Sequence, residues 1–496
     1  MDEKEKTTMR VLFIFKSENF LVPIGMCAIS AIARREGHDV YLSEMHNEDP
    51  LERIHKLNPD IVAYSSSSGE AKHYVRLNKR VKESYPNIFT VMGGPHPTFY
   101  PEIVNESTID AACIGEGEEA FSDVLKALST GDSLDGIKNI ATKNHTGYTV
   151  RELVQDLDLL PFPDYSLYYN NTEMGNYPLK SFMASRGCPY NCTYCFNTAL
   201  RQIYHGCPGK MVRRYSVDYI IEDIKRVKSR WPLSCAKFQD DIFSFKVDTW
   251  LEEFAKKYKK EVDLPFFILN RCDLLTEDMV KLLKYAGCRT ISMSIEAGNP
   301  EVRRQILKRK MTDDQIIDAH LLCEKYGIAT FPNGIFGLPD TTHEDDVTTL
   351  DLSLKSKVTW GEYSIFYPYP KTELGDYVIG KGYYTPDYDH MHTSYQNRSM
   401  LSCFTERQKD IQMNFAMLAS VVVVFPWLRN FVLNHAIYWP SNRLFVTAFW
   451  IAKNLAFRKY IYSTKTSFWR SIRILQKSLR QEIFRHSTSE KEMERR

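Results

Sequence analysis

The chain has 496 residues, of which 43% are apolar and 25% charged, and a formal net charge of +2. That length exceeds what one hydrophobic core serves, so two or three domains are expected. The near-neutral balance excludes a partner recognised by bulk charge, nucleic acid included. Eleven cysteines follow a charged start, Met1-Asp-Glu-Lys-Glu-Lys6, that carries no apolar leader. This predicts a reducing, cytoplasmic setting with buried or metal-binding thiols in place of a disulfide framework.

Taken in order, Val11–Phe15, Val40–Leu42, Ile61–Tyr64, Phe89–Met92 and Ala111–Ile114 are short continuous apolar runs. Helical spacing lies between them, as over Ile24–Gly37 and Leu51–Leu57. Strands buried on both faces and alternating with helices predict a doubly wound parallel α/β sheet over residues 10–150. Ligands of such sheets sit beyond the carboxyl ends of the strands. Those ends carry Ser65, Ser66 and Ser67, then Gly93 and Gly94, then Gly115-Glu116-Gly117. Small residues at three successive ends admit a large flat or phosphate-bearing ligand close to the backbone; the alternative is tight turns that bind nothing. Asp156-Leu-Asp-Leu-Leu-Pro-Phe-Pro-Asp164 is punctuated by proline and marks a linker, residues 151–175.

Alternation resumes over residues 176–375. Strands are expected near Ser181–Ser185, Lys237–Gln239, Phe266–Leu269, Thr290–Ile295, Thr330–Phe336 and Glu362–Phe366, with helices such as Val217–Lys228, Glu277–Ala286 and Asp314–Tyr326 between them. Six such units predict a partial (β/α)6 parallel barrel, with its chemistry at the strand carboxyl ends. The first strand runs into Cys188-Pro-Tyr-Asn-Cys192-Thr-Tyr-Cys195. Three thiolates converging from one short loop suit an iron–sulfur cluster, with one iron left for a ligand other than protein. A zinc knuckle would more often offer a second Cys or His pair, and the nearest other cysteine is Cys207, in a Gly-Cys-Pro turn. The following strands end in Asp240-Asp241, Asn270-Arg271, Glu296-Ala-Gly298 and Gly337-Leu-Pro339, so these polar groups are expected to ring the cysteine loop. Any one of them could instead cap a helix or pair with a charge.

Residues 376–496 form a C-terminal region. Asp376–Ser402 reads as loop and Glu406–Leu418 as helix. The apolar run Ala419–Trp427 is shorter than the roughly 20 residues a membrane span needs. From Leu428 to Arg496 there are 14 Lys and Arg against 4 Asp and Glu, a net of +10, interleaved with Trp439, Trp450 and Trp469 and preceded by Trp427. Such a helical tail suits either in-plane contact with an anionic membrane or packing on the barrel.

The three-then-two cysteine spacing, with Tyr194 before the last cysteine, resembles the signature of the radical S-adenosylmethionine superfamily. Gly93-Gly-Pro-His-Pro-Thr-Phe-Tyr-Pro-Glu102, the Leu-Pro-Phe-Pro-Asp linker, Phe238-Gln-Asp-Asp-Ile-Phe243, Ser294-Ile-Glu-Ala-Gly298 and Phe336-Gly-Leu-Pro-Asp340 resemble its cobalamin-binding subfamily, which includes methyltransferases and the anaerobic magnesium-protoporphyrin ester cyclases. The resemblance implies that Cys188, Cys192 and Cys195 hold a [4Fe–4S] cluster, with S-adenosylmethionine on the fourth iron. It implies Tyr194 beside the adenine, Asp240 or Asp241 at the methionine amine, Glu296 at the ribose and Arg271 toward the methionine carboxylate. For cobalamin it implies contacts at Ser65, Ser66, Ser67, Gly93, Gly94, Glu116 and Gly117. The Asp-x-His-x-x-Gly motif of many cobalamin proteins has no counterpart in Lys16-Ser-Glu-Asn-Phe-Leu21, so the lower face of cobalt is expected to lack that histidine, and His96 stands in a different loop.

The activity so implied is C-methylation of an unactivated carbon on a hydrophobic or natural-product small molecule, served by a flavodoxin- or ferredoxin-like electron donor. The alternatives are an oxidative cyclase on the same scaffold and a non-catalytic cobalamin or metal sensor. The tail adds a lipid-like substrate and peripheral membrane contact to these expectations. No motif names the catalytic residues for substrate.

Overall fold

The computed structural model of the chain describes residues 8–16, 22–143, 147–387 and 396–462. The apolar runs of the first domain form β1 (Arg10–Phe15), β2 (Asp39–Glu44), β3 (Ile61–Ser65), β4 (Phe89–Gly93) and β5 (Ala111–Cys113), and β6 (Ile140–Thr142) completes the sheet. Its order is β2-β1-β3-β4-β5-β6, with every neighbour parallel except β6, which runs antiparallel on β5. β6 is a three-residue edge strand, too short for alternation to reveal it in the sequence. Val11, Leu12 and Ile14 are fully buried, because helices cover both faces of β1. The order reverses at β1, which opens the crevice that doubly wound sheets offer a ligand at its carboxyl edge.

The second domain contains β7 (Leu179–Phe182), β8 (Ser185–Arg186), β9 (Arg213–Arg214), β10 (Cys235–Phe238), β11 (Phe266–Leu269), β12 (Cys288–Ser292), β13 (Ala329–Thr330), β14 (Asn333–Phe336) and β15 (Glu362–Ile365). A five-stranded parallel sheet of order β13-β12-β11-β10-β7 continues, through a single bridge between Glu296 and Gly334, into the parallel pair β14-β15. The fifth strand, expected as one piece over Thr330–Phe336, is split. Pro332 has no N–H to give the ladder, so β13 stays with β12 while β14 turns to β15. The first strand also ends earlier than expected: the chain leaves the sheet after Phe182, and Ser185–Arg186 pairs antiparallel with Arg213–Arg214 beside the cysteine loop.

The C-terminal region is helical. Glu406–Val424 forms one helix that runs past Leu418 and takes in most of the apolar run; its residues Phe415 to Val423 are buried against β15 and the helix Arg443–Ala456. Among the described residues no helix is long and apolar enough to cross a membrane. The stretch expected as loop from Asp376 begins inside the helix Glu373–Gly380. Residues 17–21, where the axial histidine of cobalt was sought, and Trp469 lie outside the described residues.

Candidate active site

The cysteine loop is fixed to the barrel at both ends. Gly187, at φ +88°, stands where a Cβ would meet the Met211 carbonyl oxygen at 2.2 Å, so only glycine lets the loop leave β8 this way. The Arg201 guanidinium donates to the Cys188 carbonyl (2.9 Å), the Thr198 hydroxyl to the Cys192 carbonyl (2.9 Å) and the Thr193 hydroxyl to the Ile306 carbonyl (2.6 Å). Cys195 is the N-terminal cap of the helix Phe196–Ile203. Cys188 and Cys195 are half-buried and Cys192 is buried. Burial pushes the Cys195 thiol up to about 12, with the Cys192 and Asp241 charges adding to it, and raises Cys188 as well. Iron would reverse this by favouring thiolate. Among the described residues no three ligating side chains close on one ion. The thiolates of a cubane cluster each take a different iron, so their sulfurs stand wider than ligands around a single ion. Three thiols carried by one short loop, two of them half-buried, are the donor set such a cluster would take from the chain.

The polar residues expected around the loop divide into two groups. Tyr194, Asp241 and Glu296 stay at it. The Tyr194 hydroxyl donates to Glu296 Oε1 at 2.8 Å, and Arg309 donates to the same hydroxyl at 3.4 Å and to the Ser294 carbonyl at 2.8 Å. Glu296 sits at the seam of the two sheets with φ +65°, a conformation non-glycine residues seldom adopt. Burial raises its carboxyl, opposed by Arg309 and Tyr194. A carboxylate has about four acceptor sites, so Tyr194 leaves capacity for hydroxyl donors such as a ribose. Asp241 accepts from Asn197 Nδ2 at 2.8 Å, two residues beyond Cys195.

Asp240 is turned to the segment that enters the loop, and Arg271 packs on the loop with its fork already taken. Asp240 is 1% exposed and accepts from the Ala184 N–H (3.0 and 3.2 Å) and the Ser185 hydroxyl (2.6 Å). It braces the segment entering the cysteine loop, and burial holds its carboxyl up near pH 7. The Arg271 fork is taken by Asp273 (3.0 and 2.9 Å), and its plane lies 3.6 Å from the centre of the Tyr190 ring. Of the two aspartates Asp241 is the one nearer the thiols, and Arg271 contributes its charge to Cys188 without offering its fork.

On the first domain, Ser65, Ser66, Ser67, Gly93 and Gly94 meet at the ends of β3 and β4. The Ser66 N–H donates to the Gly93 carbonyl (2.9 Å), the His96 N–H to the Ser66 carbonyl (2.9 Å), and the Ser66 hydroxyl to the Ser67 carbonyl (2.9 Å). This strand-end shelf suits a large planar ligand. The third turn is different. Gly115, at φ +73°, makes room for the Tyr204 phenol from the cysteine helix, which a Cβ would strike at 2.1 Å. The Glu116 carboxylate pairs with Arg213 (2.6 Å) and Arg186 (3.5 Å), and Glu118 pairs with Arg186 (2.7 Å). Glu116 and Gly115 therefore join the two domains, and Gly117 lies close against Cys113 and Ile29 of the first, so the smallness at this turn has a cause within the protein.

Sequence reasoning missed Arg309, Asn197 and the interdomain role of Arg186. Arg309 sits in Lys308-Arg-Lys310, which reads as a solvated charge run. Arg186, immediately before Gly187-Cys188, could have been singled out by its place in the motif. Beside the cysteine helix, a cleft of about 490 Å³ opens between Phe99, Glu102 and Tyr148 of the first domain and Ala199, Gln202 and Ile203 of the helix. Phe99 and Phe196 meet across the boundary at 6.4 Å. The two domains thus converge at the end where both expected cofactors would sit.

The sequence matches the B12 binding domain over residues 10–125 and the Radical SAM superfamily over residues 183–353. It is 29% identical over 368 residues to an uncharacterized methyltransferase of Pyrococcus horikoshii, covering 72% of this chain and 78% of that protein. It is 25% identical over 366 residues to the anaerobic magnesium-protoporphyrin IX monomethyl ester cyclase of Rubrivivax gelatinosus, covering 68% and 63% respectively. The fold is that of the radical S-adenosylmethionine methyltransferase TsrM from Kitasatospora setae, solved with cobalamin and a [4Fe–4S] cluster: TM-score 0.63, 15% identity, 96% of this chain and 99% of that one. The chain carries a B12 binding domain followed by a domain of the Radical SAM superfamily, and is an enzyme of that kind with cobalamin, S-adenosylmethionine and a [4Fe–4S] cluster as its cofactors.

Proposed function

We propose that the chain is a C-methyltransferase acting on an unactivated carbon of a hydrophobic small molecule. The observation that supports this is the direct packing of the helix that follows the cysteine loop on the cobalamin-type domain, through Tyr204 at Gly115 and Phe196 at Phe99. When bound, the cluster with S-adenosylmethionine supplies a carbon radical and cobalamin supplies a methyl carrier; the hard chemistry is theirs. The residues here have other work. Cys188, Cys192 and Cys195 would hold the cluster. Asp241 would orient the methionine amine, and Glu296, held by Tyr194 and Arg309, would accept from the ribose. Ser65, Ser66, Ser67, Gly93 and Gly94 would cradle cobalamin, while the Arg186, Arg213, Glu116 and Glu118 pairs fix the domains so that the reacting atoms are in register. In this reading residues 10–150, 151–175, 176–375 and 376–496 are the cobalamin domain, linker, barrel and C-terminal region.

The likeness to the methyltransferase of Pyrococcus horikoshii supports methyl transfer, and the likeness to the cyclase of Rubrivivax gelatinosus supports an oxidative cyclase as the second reading. The reconstituted enzyme, a chemical reductant, an organic extract of the source cells and methyl-labelled S-adenosylmethionine separate the two. Label in an extract component supports methylation; a converted component without label establishes the cyclase reading. Replacing the chemical reductant by a flavodoxin or ferredoxin tests the electron donor.

Membrane-peripheral placement in the cytoplasm extends the same reading. Trp427 and Leu444 are 78% and 76% exposed, and Phe431 and Trp439 are exposed beside them, at the start of the basic tail. Flotation with anionic liposomes should recover the full chain, and Trp427→Ser with Leu444→Ser should lower recovery several-fold. Equal recovery of both removes this part of the reading.

A further inference from the structure

The second sheet holds a charged cluster that the cofactor sites leave unused. Along β10, Ala236 and Phe238 pack into the helix-side core with Phe266 and Ile268 of β11. Successive strand residues face opposite ways, so Lys237 and Phe267 face the other, concave side. The Lys237 ammonium lies 5.3 Å from the centre of the Phe267 ring and 6.0 Å from that of Tyr462. From the C-terminal helix, Lys453 reaches Glu362 at 2.9 and 3.2 Å, and Gln396 donates to the same carboxylate at 3.4 Å. Lys453 in turn lies 5.3 Å from the Phe457 ring. Phe267 and Tyr462 (5.7 Å) and Tyr462 and Phe457 (5.3 Å) join these into one aromatic wall.

Among the described residues the compartment therefore contains two ammonium groups and one carboxylate. Lys453 engages Glu362 directly, and among the described residues Lys237 has neither a hydrogen bond nor an ion pair. An unbalanced charge in an apolar compartment is costly until it is neutralised or paired. Burial acts on this amine in that sense, lowering it to about 8, with Glu362 opposing and Lys453 adding to the shift. The alternative to giving up the proton is to receive an anion.

We propose that Lys237, backed by Lys453, binds the carboxylate or phosphate of an apolar substrate on the concave face of the barrel. The inference rests on the reading of the chain as an enzyme for a hydrophobic small molecule and names the polar end of that molecule. Lys237 is on β10, three residues before Asp240, which follows the carboxyl end of that strand about 10 Å further along the chain. A molecule held there by its acid group would lay its apolar body along the aromatic wall and direct carbons toward the cysteine loop. The enzyme would thereby select an amphiphilic acid and choose the reacting carbon by its distance from that acid.

Calorimetric titration of the reconstituted full-length protein with octanoate, octyl phosphate, octanol and inorganic phosphate tests this. One or both of the octyl acids should bind at least tenfold more tightly than octanol, and their ratio distinguishes carboxylate from phosphate. Lys237→Met should weaken the acid at least tenfold while octanol is unaffected, and Lys237→Arg, which keeps the charge, should retain binding if the Met variant does not fold. Glu362→Gln, which releases Lys453, should tighten the acid. Octanol binding as tightly as the acids, inorganic phosphate binding as tightly as octyl phosphate, or acid binding undiminished in a folded Lys237→Met protein would each overturn the proposal. Failure of the broader reading is separate: it would show as no 5′-deoxyadenosine from the reduced enzyme, whatever the acids do.

Discussion

Gly115→Ala is the most discriminating substitution in the joint between the domains. Two penalties add. An alanine held at φ +73° costs about 1–2 kcal/mol for its left-handed backbone. Its Cβ would also stand 2.1 Å from the Tyr204 oxygen and 2.9 Å from the ring carbon bearing it, so the phenol has to withdraw. That phenol accepts from the Glu116 N–H (2.9 Å) and from Asn139 Nδ2 (3.3 Å). Two hydrogen bonds at about 0.5–1.5 kcal/mol each add about 1–3 kcal/mol. The total is about 2–5 kcal/mol, or a fall in melting midpoint of roughly 5–15 °C for a domain of this size. The assay is thermal unfolding of four proteins: wild type, Gly115→Ala, Tyr204→Ala and the double variant. Once Tyr204 is gone the alanine meets no phenol, and its cost in that background should shrink to the backbone part, about 1–2 kcal/mol. A Gly115→Ala penalty equal in both backgrounds would refute the reasoning and return the glycine to a role in approaching a ligand.

Three further outcomes are expected. Cys192→Ala should abolish the brown absorbance of the anaerobically reconstituted protein, and undiminished absorbance would refute its assignment as a cluster ligand. Glu118→Ala removes the buried carboxylate that stands 2.7 Å from the half-buried Arg186 and leaves that guanidinium the longer 3.5 Å pair with Glu116, so it should cost about 2 kcal/mol in thermal unfolding; Glu119→Ala one position on, whose carboxylate is exposed, should cost under about 1 kcal/mol, and equal costs would remove the special status of the Glu118 pair. Asp223 is buried and, among the described residues, accepts only from Tyr165, and burial pushes its carboxyl up to about 7. Between pH about 4 and about 7 the unfolded chain has released this proton and the folded chain has not, so stability falls as pH rises through that window, by up to about 4 kcal/mol, and levels off above it. Asp223→Asn lacks that slope, so its melting midpoint should gain on wild type from pH 4 to 7; parallel curves for the two proteins would show that the carboxyl is not raised.

The asymmetry between what could be read and what could not has a physical origin. Five strands of the first sheet were legible because a strand covered on both faces is a continuous apolar run, and β6 was not, because three residues on an edge give no period. The split at Pro332 was within reach of the sequence, since proline withholds a ladder donor wherever it stands. At the site, the three-cysteine loop and Tyr194 are local facts of spacing. Asp240 and Asp241 look alike in sequence, yet the first is turned inward to Ala184 and Ser185 and the second toward Asn197.

What the sequence by itself determined is the part encoded over neighbouring residues: alternating strands and helices, a loop that presents three thiols, and a basic aromatic C-terminus. What only the tertiary structure decided is how charges and side chains far apart in the chain meet. Arg309 reaches Tyr194 from 115 residues away, Arg213 finds Glu116 across 97, and Lys453 comes to Glu362 across 91. Periodicity and spacing carry no record of such pairings. They depend on how the two domains and the C-terminal helices pack, and that packing settles which of the expected residues stand at the cysteine loop and which hold the domains together.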